Sequence, residues 1–394
     1  DNDNDLDLFI TSGGYAFPSL SELYQNRLYL NNGKGDFTRS VSAIPNNYFN
    51  STSVDSNDID GDGDIDLFIG GNATPWAYPY CENSVILINE NGIFNDELIS
   101  LPSNSKLGMI NYSKFIDLNG DGAKELVIAG EWMPISILSK AGSTYIDITE
   151  QFGLGESSGW WNTIEFADFD NDGDMDFVAG NRGENKFFKA DNERPAVIYA
   201  NDFDKNNSID AIPFYYFDDN ISHPKHTLDE VFEQYPKIRK KFNKYSLYSS
   251  ATITDILSDE EIEDALVLKA NTFSSSIFIN ENNKFTMTPL SKMAQISEVH
   301  GIKSIDINND ENIDLLITGN NYDTDVTTGR SDASIGLVLV GDGEGDFSPI
   351  NSTKSGFEVV GDARGIVTLT LSDKIIILVS INKGEPKGFY LRKK

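Results

Sequence analysis

"DFDNDGDMDFVAGN", Asp168 to Asn181, is the stretch whose reading decides the fold. Aspartates stand at 168, 170, 172, 174 and 176, and an apolar run follows without a break. Like charges at that density repel one another and oppose compaction. Such a stretch is worth having only if something gathers the carboxylates. Gly173, at position six, supplies a tight turn, so that the odd positions converge on one point. The tail "DFVAGN" reads as a short strand closed by Gly and Asn, with position nine as its first residue.

The chain repeats this unit, and the repeat governs everything else. "DIDGDGDIDL" from Asp58, "DLNGDGAKEL" from Asp117, "DFDKNNSIDA" from Asp202 and "DINNDENIDL" from Asp306 keep one register. The opening "DNDNDLDL" fits with position one missing, so Asp1, Asp3, Asp5 and Asp7 take positions three, five, seven and nine. It reads as a repeat begun midway, which implies an upstream segment. "DILSDEEIED" from Asp255 keeps the rhythm but puts Leu257 at position three. That segment reads as a short helix without metal. Near Asp362 the frame fades.

Between the loops lie hairpin signals: "NRLYLNNGKGDFTRS", "SVILINENGIFND" and "IGLVLVGDGEGDFSPI". In each, two strands flank an Asn/Gly/Asp turn that supplies positive φ at low cost. About four short strands in every ~50 residues describe a propeller blade, which must stack on neighbours to bury both faces. The spacing predicts an all-β protein, a single seven-bladed β-propeller over residues 1–394, with eight the other count it allows. Seven requires the Asp202 hairpin and the strands of "ALVLKAN" and "SSIFINENNKFTMTPL" to form one interrupted blade.

Alternating carboxylates suit Ca²⁺, a hard cation that takes ~6–8 oxygens. Positions one, three, five and nine supply side chains, and position seven a backbone carbonyl. The expected ligands are Asp58, Asp60, Asp62, Asp64 and Asp66, then Asp117, Asn119, Asp121, Ala123 and Glu125. They continue with Asp168, Asp170, Asp172, Asp174 and Asp176, then Asp202, Asp204, Asn206, Ser208 and Asp210. Asp306, Asn308, Asp310, Asn312 and Asp314 complete the series, beside the four opening aspartates. A carbonyl role explains why position seven accepts Asp, Ala, Ser or Asn. The bland alternative is a solvated turn, for which Asp/Asn/Gly clusters are common. Five complete copies in one register, each running into an apolar strand, weigh against it. An EF-hand loop opens similarly, but closes with Glu at position twelve and needs flanking helices.

Composition narrows the partners. The 394 residues include 62 acidic and 31 basic ones, for a formal net charge of -31. Such a polyanion is repelled by nucleic-acid phosphates, so nucleic-acid binding is not expected. Cys81 is the only cysteine, which excludes an internal disulfide and a cysteine-built zinc site. No apolar run reaches the ~18 residues of a membrane span.

The strand pattern stops between Ile221 and Asp264. "TLDEVFEQYPKIRKKFNKY" places Leu228, Val231, Phe232 and Tyr235 at helical spacing after a Thr227 N-cap. Pro236 opens a second helix that turns Ile238 and Phe242 inward. A helical insertion over about 221–263 is expected. Its basic run (Lys237, Arg239, Lys240, Lys241, Lys244) is read as a solvated face, or more sharply as a docking surface for an acidic partner or polyanionic glycan. "GESSG" at Gly155 matches a nucleophile elbow formally, but a strand follows it where that motif needs a helix. The histidines, His223, His226 and His300, complete no transition-metal set. Trp160 and Trp161 are read as interblade core before sugar-stacking residues.

These loops resemble the FG-GAP/VCBS repeat family, whose best-known propeller is the head of integrin α-chains. "AGEWMPI", "SSGWWNTIEFADFDNDGDMDFVAGN" and "RSDASIGLVLVGDGEGDF" are similar to large bacterial VCBS proteins of the cartilage acidic protein/UnbV type. The resemblance implies the carboxy-terminal propeller of a longer exported protein, secreted or anchored at the outer surface. It implies a calcium-binding, non-enzymatic module that recognises a protein or glycan through propeller-face loops. Calcium-bearing polysaccharide lyases and lectins in the same family supply the alternative, a carbohydrate-active enzyme.

Overall fold

The computed structural model describes residues 3–392 except 4, 97, 188, 218, 219, 325–327 and 373; Asp1 lies outside the described residues. The fold is all-β with a small helical insertion, built from antiparallel meanders of the propeller-blade kind. Two compact units divide the chain. The first comprises Asp1–Ile116, Ala123–Thr149 and Phe188–Asn271, and the second Asp117–Gly122, Glu150–Phe187 and Thr272–Lys394.

In the first unit, Ser51–Asn57, Asp66–Gly71, Val85–Glu90 and Ile93–Asn95 pair in chain order. Met109–Ile116, Glu125–Met133, Ser136–Ala141 and Thr144–Asp147 do the same. Leu8–Ile10, Arg27–Asn31 and Phe37–Ser40 form a shorter meander. Successive sheets share cores: Leu28, Phe49, Leu67 and Leu87 join the Leu8 meander to the Ser51 sheet. Phe68, Ile86, Ile110 and Leu126 join the next pair. In the second unit, Val178, Ile277, Leu315 and Leu339 pack one sheet on the next, and Leu316, Val338, Ile366 and Val379 continue the stack. Alternate residues of the inner strands thus serve two different cores, as Leu67 and Phe68 do in Asp66–Gly71 and Leu315 and Leu316 do in Asp314–Gly319.

Gly319 and Gly130, in the second strands of two repeats, have a steric cause. A Cβ on Gly319 would stand 1.7 Å from the Glu298 carbonyl oxygen, and one on Gly130 1.9 Å from that of Met109. The first strand bulges there, and only glycine admits its backbone.

One expectation is corrected by the pairing. Leu266–Ala270 joins the Asp202 hairpin, but Ser276–Asn280 and Phe285–Pro289 do not. They complete the sheet of Thr163–Ala167 and Asp176–Gly180, where Phe278 stacks on Phe177 with ring centroids 4.4 Å apart. The Asp168 sheet is therefore interrupted between its second and third strands. The interrupting residues form a sheet in the different order Ser222–Pro224, Asp210–Tyr216, Ala196–Asn201, Leu266–Ala270. Of the seven sheets among the described residues, five run in plain chain order; the Met109 sheet carries a fifth strand out of that order, and this one departs from it altogether.

The insertion carries its expected helix. Thr227 and Glu230 form a capping box on Leu228–Gln234, and Pro236 opens a 3₁₀ turn over Pro236–Lys240. Leu228, Val231, Tyr235, Ile238 and Phe242 are buried against Phe203, Ile212 and Phe214. Strand Ser222–Pro224 precedes it, so the strand pattern persists slightly further than expected. The basic run is largely engaged. Lys237 donates to the Phe203 carbonyl (2.7 Å), Lys241 pairs with Asp255 (3.1 Å), and Arg239 lies over the Phe232 ring. Asp255 closes a second capping box with Thr252, so that segment is helical as expected.

Glu298 anchors the second unit. Its buried carboxylate faces Lys186 (3.6 Å), His300 (3.7 Å) and Arg182 (3.9 Å), and accepts a bond from Asn321 (2.8 Å). Burial pushes its pKa up, but His300, Arg182 and Asn321 outweigh burial and hold it at about 2. A folded pKa below the unfolded value adds stability above about 4.5, lost as pH falls through about 2. Glu298→Gln is expected to cost about 3 kcal/mol at neutral pH, with the deficit shrinking across that acid window. Urea unfolding at several pH values reads this directly.

Candidate metal centre

Each acidic loop is built by its own carboxylates before any ion is considered. The position-one aspartate caps the turn. Asp58 accepts from the Gly61 and Gly63 N–H groups, Asp117 from Gly120 and Gly122, and Asp202 from Asn206 and Asn207. Position five accepts from the N–H of position seven: Asp62 from Asp64, Asp172 from Asp174, Asn206 from Ser208, Asp310 from Asn312. In the opening loop Asp3 and Asp5 repeat that bond. The turn demands positive φ twice, at position six and also at position four. Gly63, Gly122, Gly173, Asn207 and Glu311 occupy the first, and Gly61, Gly120, Asn171, Lys205 and Asn309 the second. The sequence reading named only position six.

Position nine has a role that spacing did not reveal. Asp66, Asp176, Asp210 and Asp314 are almost completely buried, as is Glu125. One oxygen accepts the N–H of the apolar residue at position two: Ile59 (2.7 Å), Phe169 (2.8 Å), Phe203 (3.0 Å) and Ile307 (2.8 Å). In the meander sheets the other oxygen accepts an N–H from the third strand: Asn89 for Asp66, Asn280 for Asp176 and Gly341 for Asp314. Asp7 receives the same bond from Asn31, which places Asp3, Asp5 and Asp7 in the register assigned to them. The carboxylate therefore fastens loop, second strand and third strand together. Phe169 and Ile59 sink into the cores, so the loop is pinned from both sides.

This frame brings carboxylates together. Oxygens of Asp168, Asp170 and Asp176 lie within 4.8 Å of one another, as do those of Asp202, Asp204 and Asp210. In the first complete loop the convergent set is Asp58, Asp60 and Asp62. Asp168 Oδ1, Asp204 Oδ1 and Asp5 Oδ1 are buried oxygens without a hydrogen-bond partner. A buried acceptor left unpaired is costly, and a cation is one way to satisfy it. Protonation costs say the same. Burial, then neighbouring aspartates, push Asp176 and Asp210 up to about 6 against the hydrogen bonds that oppose it. Asp66, Asp314 and Asp170 are raised by burial in the same way. Such an all-oxygen, anionic set can hold a hard metal ion.

The Asp306 loop has the same turn, and there Asn308 turns its amide nitrogen to Asp310 (2.8 Å). It also touches its neighbour, since Asn171 Nδ2 lies 3.2 Å from Asn312 Oδ1. In the Asp117 loop Asn119 accepts from Asp121.

The other candidates fall into structural roles. Ser157 of "GESSG" is buried, and its hydroxyl donates to the Leu154 carbonyl at 2.6 Å. Trp161 is fully buried and donates to the Ser157 carbonyl, while Trp160 is half-buried beneath the Arg182 guanidinium at 4.1 Å. His223 lies 2.9 Å from the Ala251 carbonyl, and His300 lies 3.0 Å from Arg364. Among the described residues no helix is long and apolar enough to cross a membrane.

A chain of antiparallel meanders, most of them carrying an acidic loop, defines a repeat protein of the propeller class. The FG-GAP-like repeat pattern matches residues 1–69 and 117–179, about a third of the chain, and those segments are similar to FG-GAP repeats. No curated protein matches the chain.

Proposed function

We propose that this chain is a calcium-stabilised β-propeller recognition module of an exported protein, without catalytic activity of its own, binding a protein or glycan ligand. The observation that carries the calcium reading is the pairing of converged carboxylates with unpartnered buried oxygens at Asp168 and Asp204. Position one, three and nine side chains would hold the ion, with position five beside them. Bound calcium supplies charge neutralisation and a fixed point for each loop, not chemistry. Loops of this kind close with a single carboxylate at position nine and use neutral Asn at some positions. That favours modest affinity, of the order of 10⁻⁴–10⁻³ M, suited to compartments where calcium is plentiful. FG-GAP repeats are typical of extracellular domains, which supports export.

Titration calorimetry tests the reading. The Asp168 loop carries Asp172 where the Asp202 loop has Asn206, and Lys237 brings a positive charge to the Phe203 carbonyl of the latter. Asp170→Ala is therefore expected to cost more calcium affinity than Asp204→Ala, by about tenfold. The reverse order would show that loop rigidity outweighs charge. No heat above dilution in millimolar calcium would remove calcium from the account.

A further inference from the structure

Two surface turns of the first unit carry the wrong residue type for their backbone. In Thr74–Ala77 the Ala77 N–H bonds the Thr74 carbonyl at 3.0 Å, and Trp76 stands third in the turn with φ +65°. In Pro18–Ser21 the Ser21 N–H bonds the Pro18 carbonyl at 3.3 Å, and Leu20 stands third with φ +64°. That position asks for Gly or Asn, and a large side chain there is strained. Neither residue is compensated by burial, since Trp76 is 66% and Leu20 76% exposed. Backbone and hydrophobic effect both disfavour them.

The two turns are tied into one surface. Trp76 Nε1 donates to the Tyr15 carbonyl (3.1 Å), and Ser19 Oγ donates to that of Pro75 (3.4 Å). The Tyr24 hydroxyl lies 2.7 Å from the Phe17 carbonyl and 2.9 Å from that of Gly14, which fixes the first loop from below. Tyr15, Phe17 and Leu23 are 44–61% exposed around them. Contiguous exposed apolar groups on a rigid frame mark interaction sites. The charge of the surroundings selects the partner. Residues 11–26 and 72–84 contain no Lys or Arg, while Glu22 is exposed in the first loop. Glu131 accepts from Tyr78 (3.1 Å), and after burial it is the next cause pushing the Tyr15 hydroxyl up.

We infer that loops 14–24 and 73–80 form a docking surface for a protein segment presenting apolar side chains flanked by Lys or Arg. This rests on the recognition reading above and names its partner class. An acid-edged aromatic platform on a chain of net charge -31 attracts such a segment and repels acidic glycans.

The test uses the full chain and the double variant Leu20→Gly/Trp76→Gly. Glycine suits both turns, so the variant is expected to melt at or above the wild-type temperature, in calcium and in EDTA alike. A displayed library of short random peptides is selected against each protein in millimolar calcium. The wild type is expected to enrich peptides that combine Leu, Phe or Trp with Lys or Arg, and the variant to bind them about tenfold or more weakly. Absence of enriched peptides, or equal binding by the variant, overturns the inference. So does Trp76-dependent retention of neutral glycans on an array instead of peptides. A variant that melts well below wild type would assign the two residues a structural role, and also overturns it. Loss of calcium stabilisation in the wild type strikes the metal reading alone, because peptide binding is scored separately.

Discussion

Excess EDTA is expected to lower the melting temperature of this protein by about 15 °C relative to calcium at a hundredfold excess over Kd, roughly 10 mM for a Kd of the order of 10⁻⁴ M, the largest single effect expected of any condition. A ligand at a hundredfold excess over its Kd adds about 2.7 kcal/mol per site to the native state. The three converged carboxylate sets at Asp58, Asp168 and Asp202 would together add about 8 kcal/mol. In a large domain each kcal/mol moves the midpoint by about 2 °C. Coincident melting curves with and without calcium would sink the proposal. Magnesium makes the useful control. Its smaller ion demands near-octahedral geometry and sheds water reluctantly, so it should restore little of the shift.

The same loops give the metal-free protein an inverted acid response. Asp176 and Asp210 hold their protons up to about 6 when folded, against 3.8 for an ordinary aspartate. The folded state therefore binds more protons across that window, and stability is lost as pH rises through it. In EDTA the protein should be more stable near pH 4.5 than near pH 7 as far as these groups decide it. Bound calcium should displace the protons and remove the difference.

How much of this was legible without coordinates depends on range. The acidic decapeptide is a local object. Alternation, glycine at position six and an apolar tail were enough to place Asp58, Asp168 and their counterparts in one register, even from the incomplete opening copy. Position four was visible as Gly61, Gly120, Asn171 and Asn309, but Lys205 hid the rule, because lysine gives no hint of positive φ. Strand partnership was less legible. Nothing in "SSIFINENNKF" says that Ser276–Asn280 pairs with Asp176–Gly180 rather than with the nearer Leu266–Ala270. Alternating apolar strands carry no address, and only packing, here Phe278 on Phe177, chooses among them. Trp76 and Leu20 were invisible for the opposite reason, since exposure and backbone strain are properties of the folded turn alone.

Position nine was read as a ligand, and its hydrogen bonds make it a structural anchor first. Asp176→Ala is therefore expected to destabilise the protein whether or not calcium is present. Its carboxylate accepts the Phe169 and Asn280 N–H groups, each at 2.8 Å, at a site with no solvent access. Alanine leaves two buried donors unpaired, at about 1–3 kcal/mol each. Removing the buried charge offsets part of this above pH 6, where the carboxylate is ionised at a cost. Two stranded donors outweigh one relieved charge, and a loss of about 3 kcal/mol in EDTA is expected, with the calcium contribution of that loop lost in addition. Asp170→Ala provides the contrast. Its carboxylate accepts only the Asp172 N–H, at 3.3 Å within an exposed turn, and stands among like charges. That variant should lose stability in calcium and little or none in EDTA. Urea unfolding of both variants in both media separates ligand from anchor. If Asp176→Ala matches wild type in EDTA, the carboxylate serves the ion alone and the loops owe their shape to calcium rather than to their own hydrogen bonds.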